Sequence, residues 1–308
     1  MNILKFILLF LFILLPIETF AVCTNNVALQ NYPINFGNVI VQRDVPANTV
    51  VAVMSGNYTL NFTCPDQNNV YIDTMYTTSL GSNLYDIGVS GYGVRVSEND
   101  TGGGLHHYFP TSWYNQGTWN TTYMYKVELV RTSATAASGQ LFQGQIASDG
   151  VQNQFVIANW TISGGSIKTL ACSINSGPLT FPIGNIPTVN FGSTVGTIPT
   201  NAQVTQNLGL TCDAGANINV SLSGTQNPDV ADTSVLSLSG QGGAGVAKGV
   251  GVQILYNNVP LQLNNKVTLK QSSGGVETFP LVARYYQTKT TVAPGTANAT
   301  ATLNITYQ

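Results

Sequence analysis

The chain has 308 residues, with 11 Lys+Arg against 13 Asp+Glu, 2 His and a formal net charge of −2. That length accommodates two domains of ordinary size, and the charge balance excludes a broad basic face for nucleic acid. Charged residues make up 8% and hydrophobic ones 43%, so the chain is not held open by charge and has few groups for acid–base catalysis. Gly, Asn, Thr and Ser take the place of charge, a composition suited to strands and turns rather than helices.

Met1 to Ala21 reads as a secretory signal: Lys5, then the apolar run Phe6 to Leu15, a break at Pro16, and small residues at Thr19 and Ala21. The run is too short to span a bilayer, which takes about 20 residues; a retained anchor is the alternative. Cleavage leaves Val22 as the expected mature N-terminus. No later stretch is long and apolar enough to span a membrane, so an exported protein is expected.

The four cysteines, Cys23, Cys64, Cys172 and Cys212, are even in number and expected in an oxidising compartment, which favours disulfides. Separations of 41 (64 − 23) and 40 (212 − 172) mark near-identical loops in two halves of the chain. They predict the pairs Cys23–Cys64 and Cys172–Cys212, each contributing about 3–4 kcal/mol. A metal site at these cysteines is disfavoured, because there is no CxxC and no neighbouring His. A second sign of duplication is GYGVRV at 91–96 against GVGVQI at 249–254. The expected organisation is a signal at 1–21, an N-terminal domain at 22–165, a linker at 166–171 and a C-terminal domain at 172–308.

Strand patterns occur at 57–64, 123–130 and 154–162, then at 208–212, 218–222, 235–238, 279–286 and 297–307. Asn257-Asn258, Gly274-Gly275 and Pro294-Gly295 separate several of them. No sustained 3.6-residue period appears beyond the signal. The fold class is therefore all-β: two immunoglobulin-like sandwiches, each of roughly seven short strands.

In the final strand Ala299, Ala301, Leu303, Ile305 and Tyr307 point one way, and Asn298, Thr300, Thr302, Asn304 and Thr306 the other. The chain then stops. Where a further strand is missing beside this one, an apolar groove and unpaired backbone invite strand addition from another chain. The pattern alone fits an ordinary terminal edge strand equally well.

The second half resembles a subunit of chaperone–usher fimbriae. The resemblance rests on the Cys172–Cys212 loop, GVGVQI at 249–254, LVARY at 281–285 and the tail VAPGTANA at 292–299 with ITYQ at 305–308. In that family a Gly lies fourteenth from the end and a Tyr is penultimate; Gly295 and Tyr307 fill both places. The resemblance implies that the C-terminal sandwich lacks its last strand. It also makes Gly295, Ala299, Ala301, Leu303, Ile305 and Tyr307 the interface for a periplasmic chaperone and later for a strand donated by an adjacent subunit, with export through an outer-membrane usher. The first half resembles the receptor-binding domain of two-domain fimbrial tip adhesins, most closely the type 3 fimbrial adhesins. The residues are VIVQRDVP at 39–46, Thr63-Cys64, GYGVRVS at 91–97, and VELVRT at 127–132 leading to Ser138-Gly139. With Val22 directly before Cys23, no free donor strand is expected. The molecule then accepts a strand without giving one, which places it at the distal tip of a fimbrium on a Gram-negative bacterium.

Candidate recognition residues are Arg95, Asn99, Asp100, His106, His107, Trp113, Tyr114 and Trp119. The aromatics can stack on a sugar or pack on a protein, the amides and acid can bind hydroxyls, and Arg95, with Gly91 and Gly93 as its same-face neighbours, can meet an acidic or carbonyl group. The expected ligand is a host glycan or an extracellular-matrix protein. Core filling by the rings and plain exposure of Arg95 are the alternatives. GxGxxG at 240–245 lacks a following helix, His106-His107 lacks a third ligand, and GxSxG is absent; no enzyme activity, cofactor or metal is expected. The Asn-x-Ser/Thr sequons, two of them in the terminal strand, are read as chance. The expected function is a tip adhesin. A minor or initiator subunit without its own receptor, and a secreted β-sandwich glycosidase, are the alternatives.

Overall fold

The computed structural model describes residues 22–100 and 106–308. The expected signal at 1–21 lies outside the described residues. The N-terminal half forms β1 (Thr24–Asn25), β2 (Gln30–Gln42), β3 (Val50–Met75), β4 (Ser79–Gly81), β5 (Leu84–Asp86), β6 (Tyr92–Asp100), β7 (His106–Tyr108), β8 (Thr111–Arg131), β9 (Gly139–Gln140), β10 (Gly144–Val151) and β11 (Phe155–Leu170). Hydrogen bonding joins them in the order β2-β11-β10-β3-β8-β6-β5-β4, with β1 on β3, β7 on β6 and β9 on β11. Only the β11–β2 ladder among them is parallel.

The strands are not uniformly short, as the pattern suggested. β3 runs 26 residues and β8 runs 21. Their ladder slips register between Cys64 and Asn69 and then resumes. An irregularity of this kind bends a strand without ending it. Alternation fills the core: Tyr58, Leu60, Phe62 and Cys64 are all buried on β3. Trp160 lies at the centre, with the rings of Tyr32, Tyr58, Phe109 and Tyr125 within 6 Å of it, between 5.3 and 5.9 Å. Cys23 and Cys64 are joined, tying the start of the domain to β3.

Residues 166–170, expected within a linker, instead complete β11 and pair with residues 38–42 of β2. The reason lies in their side chains. Ile167 packs in the N-terminal core and Leu170 in the C-terminal one, both fully buried. One strand therefore crosses the boundary.

The C-terminal half forms β12 (Cys172–Ile174), a 3-10 turn (Thr188–Asn190), β13 (Gln203–Cys212), β14 (Asn217–Ser223), β15 (Val235–Leu236), β16 (Val250–Tyr256), β17 (Val259–Pro260), β18 (Lys266–Gln271), β19 (Gly275–Gln287) and β20 (Thr302–Tyr307). One sheet runs β12-β13-β19-β16-β15 with β17 on β16, and a second runs β18-β14-β20. Cys172 stands opposite Cys212 in the β12–β13 ladder, and the two are joined. Of the expected terminal strand 297–307, only Thr302–Tyr307 is regular. β14 ends at Ser223, opposite Thr302, so earlier residues have no ladder beside them.

Candidate functional site

Arg95 sits on β6 between the buried Val94 and Val96 and points the other way. It faces Glu128 of β8 directly and is ion-paired to it, and its guanidinium lies 5.3 Å from the Tyr108 ring. Its charge is thus engaged within the protein. The glycines on its strand face leave no open space around it. A Cβ on Gly91 would stand 2.5 Å from the Thr135 carbonyl oxygen, and one on Gly93 would touch Leu80, Thr132 and Tyr85. These glycines admit neighbouring chain.

The aromatic candidates divide by strand period. On β8, Trp113 and Trp119 turn towards the core and Tyr114 turns outward, 77% exposed. Trp113 stacks between Tyr71 (4.7 Å) and His107 (5.4 Å). Trp119 stacks on Phe62 and donates its indole N–H to Asn115 Oδ1 at 2.5 Å. Asn99 pairs in register with His106 of β7 and Met124 of β8. Asp100 and His106 lie at the facing ends of β6 and β7; their side chains are outside the described residues. The structure therefore brings His107 and Trp113 together and leaves Tyr114 apart, on the opposite face. Pattern reading missed a shallow hollow of about 360 Å³ on this domain, lined by Ile72, Thr74, Tyr76, Ser148 and Phe155 among others. Its residues come from β3, β10 and β11 and form no local motif.

The C-terminal half carries a much larger groove, with a volume of about 1320 Å³. One wall is the tail, including Gly295, Ala299, Ala301, Leu303 and Ile305; another is the segment 176–186; β16 and β19 contribute the floor through Val252, Ile254, Leu281 and Ala283. β20 is paired with β14 on one side only. Along the tail Ala297, Ala299, Ala301, Leu303 and Ile305 are half-buried while alternate residues are mostly exposed, and only Tyr307 is fully enclosed. Gly295 is required by close approach: a Cβ there would lie 2.4 Å from the Ala247 nitrogen and the Val246 carbonyl carbon.

A domain of long strands is joined through a crossing strand to a domain with an open apolar groove. Residues 32–164 match the family described as MrkD-like receptor binding domain, and residues 162–308 match the family described as Fimbrial protein. The chain is thus built as a fimbrial adhesin, a MrkD-like receptor-binding domain followed by a fimbrial (pilin) domain. Such domains bind and assemble and are not enzymes.

Among relatives, the fimbria adhesin protein of Klebsiella pneumoniae is 28% identical over 301 residues, covering 90% of this chain and 91% of that protein. The crystal structure of the receptor binding domain of the plasmid-born adhesin MrkD1P of Klebsiella pneumoniae covers 50% of this chain and 99% of its own, at 20% identity and a TM-score of 0.43. The CupB6 tip adhesin from Pseudomonas aeruginosa covers 92% and 94%, at 16% identity and a TM-score of 0.38. No helix among the described residues is long and apolar enough to cross a membrane.

Proposed function

We propose that this adhesin joins its fimbrium by donor-strand complementation: the groove of the C-terminal domain accepts first a strand of a periplasmic chaperone, then the N-terminal strand of an adjacent subunit delivered at an outer-membrane usher. The N-terminal domain then attaches the tip to a host glycan or an extracellular-matrix protein. One observation carries the reading. The apolar side chains Leu303 and Ile305 stand half-exposed along a strand paired on one side, and Ala299 and Ala301 stand half-exposed on the segment leading into it, all at the rim of a groove of about 1320 Å³. An added strand buries that row and pairs the free backbone together. Bacteria lacking this chain test the functional half: they are expected to keep their fimbriae and lose attachment. Loss of the fimbriae themselves contradicts the adhesin reading and favours an initiator subunit.

A further inference from the structure

Three carboxylates meet inside the N-terminal core. Asp73 of β3 and Asp149 of β10 stand directly opposite each other in an antiparallel ladder, and Glu98 of β6 joins them. One oxygen from each lies within 4.8 Å of the others. All three are shut away from solvent, at 1%, 0% and 1% exposure for Asp73, Asp149 and Glu98. Like charges directly opposite on a sheet are destabilising, and a buried charge without a partner is costly. Asp73 nevertheless has no hydrogen-bond partner on either oxygen, and Glu98 Oε1 and Asp149 Oδ1 have none. No Lys or Arg is ion-paired to any of them among the described residues.

The remaining oxygens are held in place. Tyr71 donates its hydroxyl to Asp149 Oδ2 at 2.6 Å, and Tyr58 donates its hydroxyl to Glu98 Oε2. Both tyrosines are fully buried. Donors behind a carboxylate that fix its orientation and leave its other oxygen free are the usual support for a metal ligand. Burial, the largest cause in each case, pushes all three carboxyls well above the ordinary range, and the charges of Glu98 and Asp149 push Asp73 further.

The geometry points to a structural divalent-cation site, held by Asp73, Glu98 and Asp149, that takes calcium. Calcium binds hard oxygen ligands at 2.3–2.6 Å, so oxygens on opposite sides of the ion are about 5 Å apart; the observed cluster fits that span. Magnesium prefers shorter octahedral contacts and keeps several waters, which suits this enclosed site less well. The ion would join three strands of the core.

The test uses the purified full chain, dialysed against metal-free buffer and then melted with EDTA or with excess calcium chloride, with bound metal counted by mass spectrometry. The expected result is about one calcium per chain and a rise of about 5–10 °C in the melting of the N-terminal domain. Asp73→Asn and Asp149→Asn keep the shape and remove one charge each. Each is expected to melt in EDTA at or above the temperature of the unaltered chain, and to lose at least about tenfold in calcium affinity. Glu98→Gln is the further variant should either fail to fold. Equal melting with calcium and with EDTA, the carboxyls sharing protons instead, overturns the proposal. So does a calcium shift that survives in these variants.

Discussion

Arg95 and Glu128 show how a single residue changes meaning once its neighbour is known. The local sequence presents Arg95 as a cation between valines, with Gly91 and Gly93 on its own strand face. The register of β6 on β8 places Glu128 opposite it, with side-chain exposures of 26% and 11%. No local pattern fixes that register, so the partner was not legible. Arg95→Ala strands the Glu128 carboxylate, and is expected to cost about 1–3 kcal/mol of stability in urea melts, with Arg95→Ala/Glu128→Ala recovering part of the loss. A cost that is simply the sum of the two single changes means that the pair is not coupled. Gly295 was legible by place, and the structure supplies its cause, backbone packed against the 245–247 segment. Gly295→Ala is expected to cost about 1–3 kcal/mol, read from melting of the C-terminal domain. The carboxylates of the proposed cation site gave no signal at all, since Asp73, Glu98 and Asp149 lie far apart along the chain and meet only through the fold.

At the scale of elements, strand alternation was readable and strand length was not. The segments 57–64 and 123–130 show the alternation of β3 and β8, but both strands run far past them because their ladder resumes beyond an irregularity. The same alternation separates the aromatics of β8. Trp119 is part of the core, so Trp119→Ala is expected to destabilise by roughly 2 kcal/mol or more. Tyr114 is free of the core, so Tyr114→Ala is expected to stay within about 0.5 kcal/mol of the unaltered chain. Loss of attachment in Tyr114→Ala at unchanged melting temperature therefore reports direct contact, whereas the same loss in Trp119→Ala reports folding. A large stability loss in Tyr114→Ala contradicts the assignment of faces. The stretch 166–170, expected within the linker, is strand rather than loop, because Ile167 and Leu170 anchor it in two cores.

Across the whole molecule, the two domains meet at the end of the terminal strand. Asp44 donates its backbone N–H to the Tyr307 carbonyl (3.0 Å), and Tyr307 donates its own N–H to Asp44 Oδ2 (2.7 Å). The Arg43 guanidinium lies 4.3 Å from the centre of the Tyr307 ring. Arg131, fully buried, braces the same turn by donating to the carbonyls of Gln42 and Arg43. Burial opposes the Asp44 charge, but hydrogen bonds from Arg43 and Tyr307 and the charges of Arg43 and Arg131 outweigh it and hold the carboxyl below its usual range. Its contribution is therefore present above the ordinary carboxylate pKa of about 4 and is lost as pH falls through the depressed value. At neutral pH, Asp44→Ala is expected to speed hydrogen exchange of the Tyr307 amide by roughly tenfold; an unchanged rate contradicts this role.

That joint also fixes which way the terminal strand points. Tyr307 directs its N–H and carbonyl away from β14, so by the two-residue period Leu303 and Ile305 direct theirs to the same open side. The sequence pattern left this edge undecided between a finished sandwich and an unfinished one. Hydrogen exchange at the Leu303 and Ile305 amides, with and without a peptide of alternating apolar residues, addresses it most directly. Rapid exchange in the chain alone and strong protection with the peptide is the outcome this account predicts. Amides already protected in the chain alone, and unaffected by the peptide, would show that no strand is awaited there.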